Sequence, residues 1–399
     1  MLLARRVKGP ARAWVGTRAV YQVTEYNEPD PAPEEKKQIS WLVQSDGHTV
    51  EEFPAHGETL NWEIPASLAG KTIRVMPFRH EPSPYVSAVT KVEAPVSVGR
   101  GGEMPPGAPI SPKVVKLERE GSRYYARIDQ GPRFYVGTDV RYDGRRGLMN
   151  TSDASGQPYH PDNYRGEHGF WADFIYPTCL CESNGYFQRL NTYDRASFTF
   201  GFFQHAAHTP HDNFVLLLRE LLKLPAAPGY YPDLAVIEGA VHRLSPSGPV
   251  RLETETSTQG LMDYLNPSKE VIDEIEAINA AKFIHWSQND PKHRVCQVAF
   301  TIASMKNKMR HYAKQYPLHG LVDTVCLTVA DIRHQGRAKS RLIMEALDSN
   351  DALGNLLRIG EDAFPERLKT LGHALDDGLA QGVFGMKKYD AVCGDFVPI

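Results

Sequence analysis

Two carboxylates lie close together in a segment that otherwise consists mainly of small and aromatic residues. Glu182 is followed by a Ser-Asn-Gly sequence, and Asp194 comes twelve positions later. Cleavage of a glycosidic bond needs a protonated acid beside the leaving oxygen, and often a second carboxylate that activates water or stabilises positive charge. Burial among aromatic side chains raises the pKa of a carboxyl group, so we expect Glu182 to stay protonated near neutral pH. The segment is therefore predicted to form an active site.

Polar side chains between and after the two acids have the chemistry to contact a sugar. A Gly-Phe-Phe-Gln turn is predicted at residues 201–204. The hydroxyl, amide and imidazole groups near it suit the acetamido and hydroxyl groups of a glycan, and the candidates for substrate binding are Asn191, Thr192, Tyr193, Thr199, Gln204 and His205. The phenylalanines of the same stretch are predicted to lie in the core rather than to stack on a sugar.

Three histidines recur at intervals of three residues, at positions 205, 208 and 211. Such a string can bind a metal ion, but Thr209-Pro210 is predicted to begin a new helix between the last two histidines. No acidic residue lies inside the string to act as a base, as one does in the zinc-protease motif. We therefore expect these histidines to line a groove, with no metal ion and no other cofactor.

The composition is that of a globular protein with more than one domain. The chain has 399 residues, of which 41% are hydrophobic and 23% are charged. The excess of 48 acidic over 45 basic residues gives a net charge of −3, which argues against a general nucleic-acid binder. Five widely spread cysteines predict neither a disulfide framework nor structural zinc. The N-terminal residues lack the apolar core of a signal peptide, and no apolar run has membrane-spanning length.

Short segments with alternating apolar and polar residues recur between residues 20 and 98, for example at 39–43 and 60–64. Strands at this spacing, separated by glycine and proline turns, predict a small β-sandwich. We therefore expect a separate β module at 1–98, with a binding or docking role. The glycine- and proline-rich stretch that follows predicts a linker at 99–112.

Residues 113–399 are predicted to form an α-rich domain with a strand-rich insert at 113–145. A long polar loop is expected at 149–176. Helices are predicted at or after five further positions, which are Thr209-Pro210, Asn266-Pro267, 295–305, 321–332 and 342–347. The predicted fold class is therefore multidomain α+β, with the candidate site near the start of the helical part.

The segment around Glu182 resembles the lysozyme-like superfamily, which includes goose-type lysozymes, lytic transglycosylases and chitosanases. In that superfamily the catalytic Glu ends a helix, and a Gly-hydrophobic-hydrophobic-Gln element that lines the sugar groove follows after a loop or small β excursion. Glu182 matches the acid and residues 201–204 match the element, while Asp194 falls where goose-type enzymes place an acid that positions water. The chain departs from the family in having Gly-Phe-Phe-Gln for the commoner Gly-Leu-Met-Gln, and in carrying the insert at 113–145.

Other stretches resemble parts of bacterial type VI secretion effectors. The Asn-Thr-Tyr-Asp-Arg-Ala sequence at 191–196 resembles their lysozyme-like toxin domains. Residues 331–337 resemble a recurring element of the same domains, which implies a groove position for Asp331 or His334. Residues 20–98 resemble the immunoglobulin-like module that is fused to such effectors, which implies a secretion-spike protein as a partner.

The resemblance implies a peptidoglycan glycosidase that cuts the β-1,4 bond between N-acetylmuramic acid and N-acetylglucosamine, with Glu182 as general acid and Asp194 as its partner. Hydrolysis and internal attack by the muramic 6-hydroxyl both remain open. The alternatives are a chitosanase-like glycosidase and a non-catalytic protein of the cell wall or secretion apparatus.

The same resemblance places the activity of this chain in the periplasm of a target cell. The chain would be made in the cytoplasm and secreted, and its substrate would be the glycan strands of peptidoglycan. A producing cell would then need an immunity protein that plugs the groove. Neither a nucleic-acid partner nor a membrane span is expected.

Overall fold

The computed structural model describes residues 2–10, 12–15, 18–29, 31–93, 111–151 and 153–399. The chain divides into two compact units, Met1–Ala108 and Pro109–Ile399. Nearly all of the predicted linker at 99–112 lies outside the described residues. Together the two units give a mixed α+β chain with several sheets, as the sequence predicts.

The first unit is built from strands with a single short helix among its described residues. The strands are β1 (Ala4–Lys8), β2 (Arg12–Trp14), β3 (Arg18–Tyr26), β4 (Ser40–Ser45), β5 (His48–Phe53), β6 (Thr59–Glu63), β7 (Thr72–Phe78) and β8 (Ala88–Glu93), and the helix is α1 (Pro33–Lys36). They form one sheet in the order β1-β3-β6 and another in the order β2-β8-β7-β4-β5. Alternate side chains are buried, and Tyr21, Trp41 and Trp62 lie in the resulting core.

The second unit contains a seven-stranded antiparallel sheet that runs in simple chain order. Its strands are β9 (Val115–Glu120), β10 (Arg123–Ile128), β11 (Phe134–Tyr142), β12 (Arg145–Met149), β13 (Leu190–Asn191), β14 (Thr199–Phe200) and β15 (His205–Ala206). The strand-rich insert is therefore continuous with the short strands of the candidate site. Smaller sheets are formed by β16 (Leu234–Ile237), β17 (Ala240–Arg243) and β18 (Val250–Arg251), and by β19 (Lys387–Asp390) and β20 (Asp395–Pro398).

Helices make up most of the remainder of the second unit. They are α2 (Arg165–His168), α3 (Phe170–Phe174), α4 (Tyr176–Ser183), α5 (Asn213–Leu221), α6 (Ala227–Tyr230), α7 (Gln259–Leu265), α8 (Glu274–Asn289), α9 (Pro291–Gln315), α10 (Asp323–Gln335), α11 (Ser340–Leu347), α12 (Ala352–Arg358) and α13 (Pro365–Ala380). None of the helices in the described ranges is both long and apolar enough to cross a membrane.

Three local predictions for this unit were wrong. The stretch 149–176, predicted to be a loop, contains α2 and α3. Phe170 packs against Phe396, and this contact stabilises the short helix α3. Helix α5 begins after its N-cap Asp212 and not at Pro210. Asn266 ends α7 instead of opening a helix, since its side chain is used for tertiary hydrogen bonds.

Two apolar clusters form the core of the second unit, and the candidate site segment joins them. Phe202 and Phe203 belong to the cluster around α9 and α10. Phe198 and Phe200 belong to the cluster between the large sheet and α8. All four rings are almost completely buried, so these phenylalanines lie in the core.

Candidate active site

Glu182 lies at the C-terminal end of α4, and the backbone that follows it is tightly fixed. Asn184 adopts a left-handed conformation with φ of 53°, which ends the helix. The buried Arg189 donates from Nε to the carbonyl oxygen of Ser183 at 3.0 Å, and so satisfies one of the free helix-end carbonyls. The position of the Glu182 backbone is therefore set by both local and tertiary contacts.

The turn at 201–204 is bonded directly to this helix end. Ser183 Oγ donates to the carbonyl oxygen of Phe202 at 2.5 Å. Gln204 Nε2 donates to the carbonyl oxygen of Gly201 at 2.9 Å and closes the turn. Gly201 has φ of 92°, and a Cβ there would lie 2.5 Å from Gln297 Oε1, so only glycine fits. The helix that carries Glu182 and the Gly-Phe-Phe-Gln turn thus form one bonded assembly.

The side chain of Glu182 is 16% exposed and contacts Arg367 and His334. Arg367 Nη1 donates to its Oε1 at 2.6 Å, and His334 Nε2 lies 3.4 Å from the same oxygen. Burial acts to raise the pKa of Glu182, but the contacts with His334 and Arg367 outweigh it and lower the pKa to about 2. The prediction that Glu182 is protonated near neutral pH is therefore wrong for this structure. The residues next to Glu182 in the sequence do not reveal that Arg367 contacts it from a distant helix.

Arg367 belongs to a buried network of alternating charges that extends behind Glu182. Its Nη2 lies 2.6 Å from Asp331 Oδ1, and Arg337 Nη1 lies 2.6 Å from Asp331 Oδ2. The side chains of Asp331 and Arg337 have no exposed surface. Asp331 therefore reaches Glu182 only through Arg367, whereas His334 contacts Glu182 directly and packs on Phe203 with 4.5 Å between ring centres.

Asp194 lies in the loop between β13 and β14 and has quite different neighbours. Its Oδ1 accepts a hydrogen bond from the backbone nitrogen of Ala196 at 2.8 Å, which closes a local turn. Burial raises its pKa, while this hydrogen bond and the charges of His208, Arg145 and Arg195 act in the opposite direction. No residue that bonds Asp194 among the described residues also bonds Glu182, so the two acids are held independently.

Thr192 points into the interior beneath this loop, which places it away from any substrate. Its Oγ1 donates to Glu276 Oε1 and accepts from the backbone nitrogen of Leu148 at 2.7 Å. Asn266 Nδ2 donates to the carbonyl oxygens of Thr192 and Ser197, so it ties down both ends of the loop. The predicted contact between Thr192 and substrate is therefore wrong in this structure, because its hydroxyl is already bonded in the core.

Asn191, Thr199 and Gln204 come together at the edge of the site. Asn191 and Thr199 are directly opposed in neighbouring strands, and Asn191 Nδ2 donates to Gln204 Oε1 at 3.3 Å. Asn191 Oδ1 and Thr199 Oγ1 are buried without a hydrogen-bond partner within the described part of the chain. A buried polar atom without a partner is costly, so these atoms are suited to receive a bound molecule or water.

His205 and Tyr193 occupy the two margins of this region. His205 is buried, and its Nε2 lies 2.9 Å from Thr301 Oγ1. Burial lowers the pKa of His205 to about 3, so the ring is neutral. Tyr193 packs edge-to-face on Tyr142 with 5.9 Å between ring centres. His205 is thus a core residue, and Tyr193 lies where the site meets the inserted strands.

The histidine string does not converge on one point. His205 bonds Thr301, His208 lies within electrostatic reach of Asp194, and His211 pairs with Glu255 at 2.9 Å. Among the residues that the structure describes, no group of three or more His, Cys, Asp or Glu is placed to hold a metal ion.

Several residues of the site were not predicted from the sequence. Arg367, Arg337 and Glu276 lie far along the chain from Glu182 and Asp194. Arg367 and Glu276 are brought there by the packing of α13 and α8, and Arg337 lies in the loop directly after α10. The sequence signal that could have drawn attention to Glu276 is an acid on a helix flanked by apolar residues at 275, 277 and 278.

Comparison with known proteins gives no family for the chain. No protein-family model matches it, and no curated protein sequence matches it either. The function of the chain is therefore inferred from the residues and geometry of the site and from the resemblance of its sequence to the lysozyme-like superfamily.

Proposed function

We propose that this chain is a lysozyme-like peptidoglycan glycosidase that cuts the β-1,4 bond between N-acetylmuramic acid and N-acetylglucosamine. The observation that supports this most is the assembly around Glu182. A partly exposed carboxyl group lies at a helix end, and Ser183 bonds that end to the Gly-Phe-Phe-Gln turn. Unpartnered polar atoms of Asn191 and Thr199 lie in the strands next to the same turn. A glycosidase needs such a fixed carboxyl group beside groups that bind a sugar.

Glu182 has to gain a proton before it can act as a general acid. Arg367 and His334 both contact Oε1, and Oε2 has no partner among the described residues. If Arg367 moves away from Glu182, it keeps its ion pair with Asp331, so it is not left buried without a counter-charge. Once a substrate separates Glu182 from Arg367, only the contact with His334 still opposes burial, which raises the pKa of Glu182. We therefore propose that substrate binding protonates the acid, with Asp194 as the second carboxyl group.

The proposal is tested by digestion of purified sacculi and mass analysis of the released fragments. Glu182→Gln keeps the shape of the side chain but removes the transferable proton, so the rate is expected to fall by about 10²–10⁴-fold. Glu345→Gln is the matched control, because Glu345 makes only an exposed pair with Arg341. A Glu182→Gln variant as active as the control would refute the role of Glu182.

The product masses also separate the two reaction outcomes. Reducing ends indicate hydrolysis, and 1,6-anhydro ends indicate a transglycosylase. Asp194→Asn is expected to nearly abolish an inverting hydrolase, since that reaction needs a base to activate water. The same variant is expected to weaken a transglycosylase only mildly. Turnover of chitosan with no turnover of sacculi would favour the chitosanase-like alternative.

A non-catalytic wall-binding protein is the second candidate function. It is favoured by the ion pair with Arg367, which keeps Glu182 ionised in this structure. A carboxylate that never leaves its cation has no proton to donate. Absence of any released fragment from sacculi, together with sedimentation of the chain on them, would select this candidate.

We further propose that the enzyme is an antibacterial effector that acts in the periplasm of a rival cell. The resemblance of residues 20–98 to effector modules supports a secretion-spike partner, and an immunity protein over Glu182 would protect the producing cell. The test is expression in a sensitive Gram-negative host with and without an added periplasmic signal sequence. Lysis only with the added signal agrees with the proposal, and equal toxicity from the cytoplasm contradicts it.

A further inference from the structure

The inserted strands carry a charge opposite to that of the whole chain. Residues 113–149 contain nine Lys or Arg and five Asp or Glu, a net charge of +4 in a chain whose net charge is −3. The same segment contains five Tyr or Phe. A basic and aromatic segment in an acidic protein indicates a surface for an anionic partner.

Strands β9–β12 have one buried face and one open face. Ala126 and Ile128 are buried in the cluster that contains α8, so the alternate residues of β10 point to the other side. Residues directly opposed in a ladder share a face, which extends this side across the neighbouring strands. We call it the open sheet face and define it by Lys116, Arg123, Tyr125, Tyr135, Tyr142 and Arg145.

Part of the charge on the open sheet face is already neutralised. Arg127 lies 3.0 Å from Glu118, and Arg133 lies 2.6 Å from Glu120 while stacking 3.6 Å above the centre of the Tyr125 ring. By contrast, three cations on this face have no ion pair with any described residue, namely Lys116, Arg123 and Arg145. Unpaired cations beside ordered tyrosines can bind carboxylates, for which the arginine fork is well suited.

The open sheet face is continuous with the candidate active site. Thr138 is opposed to Met149, and Met149 is opposed to Asn191 in the next strand. Tyr142, which is 67% exposed, packs against Tyr193. A surface cavity of about 360 Å³ lies at the β11–β12 turn, between Tyr142, Arg145 and Glu270. The open sheet face therefore lies next to Asn191, with only Met149 between them in the ladder.

We propose that the open sheet face binds the peptide-bearing glycan of peptidoglycan next to the point of cleavage. Its three unpaired cations would contact carboxylates of the stem peptides, and its tyrosines would pack against sugar rings. The choice of ligand rests on the proposed function, since continuity with a glycan-cleaving site favours a glycan over other anionic polymers. The face would then direct the chain to peptidoglycan with free carboxylates rather than to neutral glycans such as chitin.

The test measures binding to sacculi by sedimentation, with the full chain carrying Glu182→Gln so that the wall is not consumed. In this background Lys116→Gln, Arg123→Gln and Arg145→Gln are combined and compared with Lys292→Gln, Lys314→Gln and Lys339→Gln. The control lysines are exposed and also lack an ion pair within the described ranges. Thermal unfolding of both variants is checked first and should be unchanged, because five of the six residues are exposed and Arg145 is half-buried.

The first variant is expected to bind sacculi about tenfold more weakly, which is the combined effect of a few surface ion pairs. The control is expected to bind within about twofold of the parent, a difference too small to matter in free energy. Amidation of the sacculus carboxylates should remove the difference between the two variants. Equal binding of both variants to untreated sacculi overturns the proposal.

Further outcomes separate this proposal from the proposed function. Tighter binding of single-stranded DNA than of sacculi, lost in the first variant, would assign the face to nucleic acid and overturn the proposal. If wild-type chain releases no fragments but cation-dependent binding persists, the glycosidase proposal fails and the open sheet face stands. If fragments are released at the wild-type rate by a chain with the first three substitutions, the enzyme stands and the face does not.

Discussion

Glu182 and Asp194 are the two carboxyl groups predicted to be catalytic, and their surroundings act on their pKa values in opposite directions. Glu182 faces Arg367 and His334, and behind them lie Asp331 and Arg337 in a buried chain of alternating charges. Asp194 has only a backbone hydrogen bond and more distant charges. The cationic contacts lower the pKa of Glu182 to about 2, whereas burial raises that of Asp194. Burial alone therefore does not predict the protonation state of a carboxyl group.

The buried residues behind the two acids differ in the same way. The Glu182 helix is backed by ion pairs, and the Asp194 loop is backed by the isolated Glu276. Burial raises the pKa of Glu276 to about 7, because hydrogen bonds from Thr192 and Leu148 do not outweigh the loss of water. The buried charges around Glu182 thus form ion pairs with one another. Asp194 and Glu276 lie where burial favours the protonated form of the carboxyl group. Opposed environments of this kind are how a site assigns acid and base roles.

The largest expected effect comes from breaking the charge network. Asp331→Asn leaves Arg337 and Arg367 buried without their common counter-charge, so the free energy of unfolding should fall by about 3–5 kcal/mol. Urea unfolding at pH 7 measures it, with Asp376→Asn as an exposed control on α13. A loss under about 1 kcal/mol would mean that the network is hydrated or absent.

A somewhat smaller effect is expected from Glu276, which lies beneath the Asp194 loop. Its contribution to the free energy of unfolding should decrease as the pH rises. The pKa of Glu276 is about 7 in the folded chain and 4.5 ordinarily, so the folded state binds more protons between these values. Stability should therefore fall by about 3 kcal/mol as the pH rises from 4.5 to above 7. Glu276→Gln should remove this decline in stability. Glu274→Gln changes an acid two residues earlier in the same helix and should leave the decline in place. Parallel stability profiles for the two variants would contradict the prediction.

Glu182 should show the reverse trend in the same experiment. Its folded pKa of about 2 lies below the ordinary 4.5, so its contribution is complete above pH 4.5 and is lost as the pH falls towards 2. The two buried acids therefore stabilise the fold in different pH ranges.

The smallest effect is a shift in the pH dependence of activity. Arg367→Gln removes one of the two contacts that lower the pKa of Glu182, so the proton-loss limb of kcat/KM should move upward. Arg358→Gln changes an exposed arginine that contacts Asn355 and, at 3.9 Å, Asp351, and it should leave the profile in place. An upward shift of the limb on which activity rises with pH would instead mean that Glu182 acts as a base.

The parts of the site that could be predicted are those that lie within one continuous stretch of the sequence. Ser183 and Phe202 are nineteen positions apart, and the motif that contains them already indicated a helix end followed by a turn. The mixed α+β class and the buried phenylalanines were likewise visible in the patterns of apolar residues. Distant partners were not visible, because Arg367 comes from a helix 185 positions after Glu182.

Thr192 shows a second limit of sequence reasoning. Its hydroxyl was predicted to face a sugar because its neighbours are polar, but Glu276 and Leu148 bind it from inside. The direction of a side chain in an irregular loop depends on which helix lies beneath it. That helix begins more than eighty positions later in the chain.

The protonation of Glu182 with and without bound glycan tests the central claim most directly. Carbon-13 NMR of the glutamate carboxyl groups can follow it with a thio-linked glycan fragment that resists cleavage, and the Glu182 signal is assigned by its loss in the Glu182→Gln variant. We predict a pKa of about 2 in the free chain, and a value above the ordinary 4.5 when peptidoglycan fragments are bound. A pKa that stays near 2 in the bound chain, while the wild type releases fragments, would contradict the role of Glu182 as the acid.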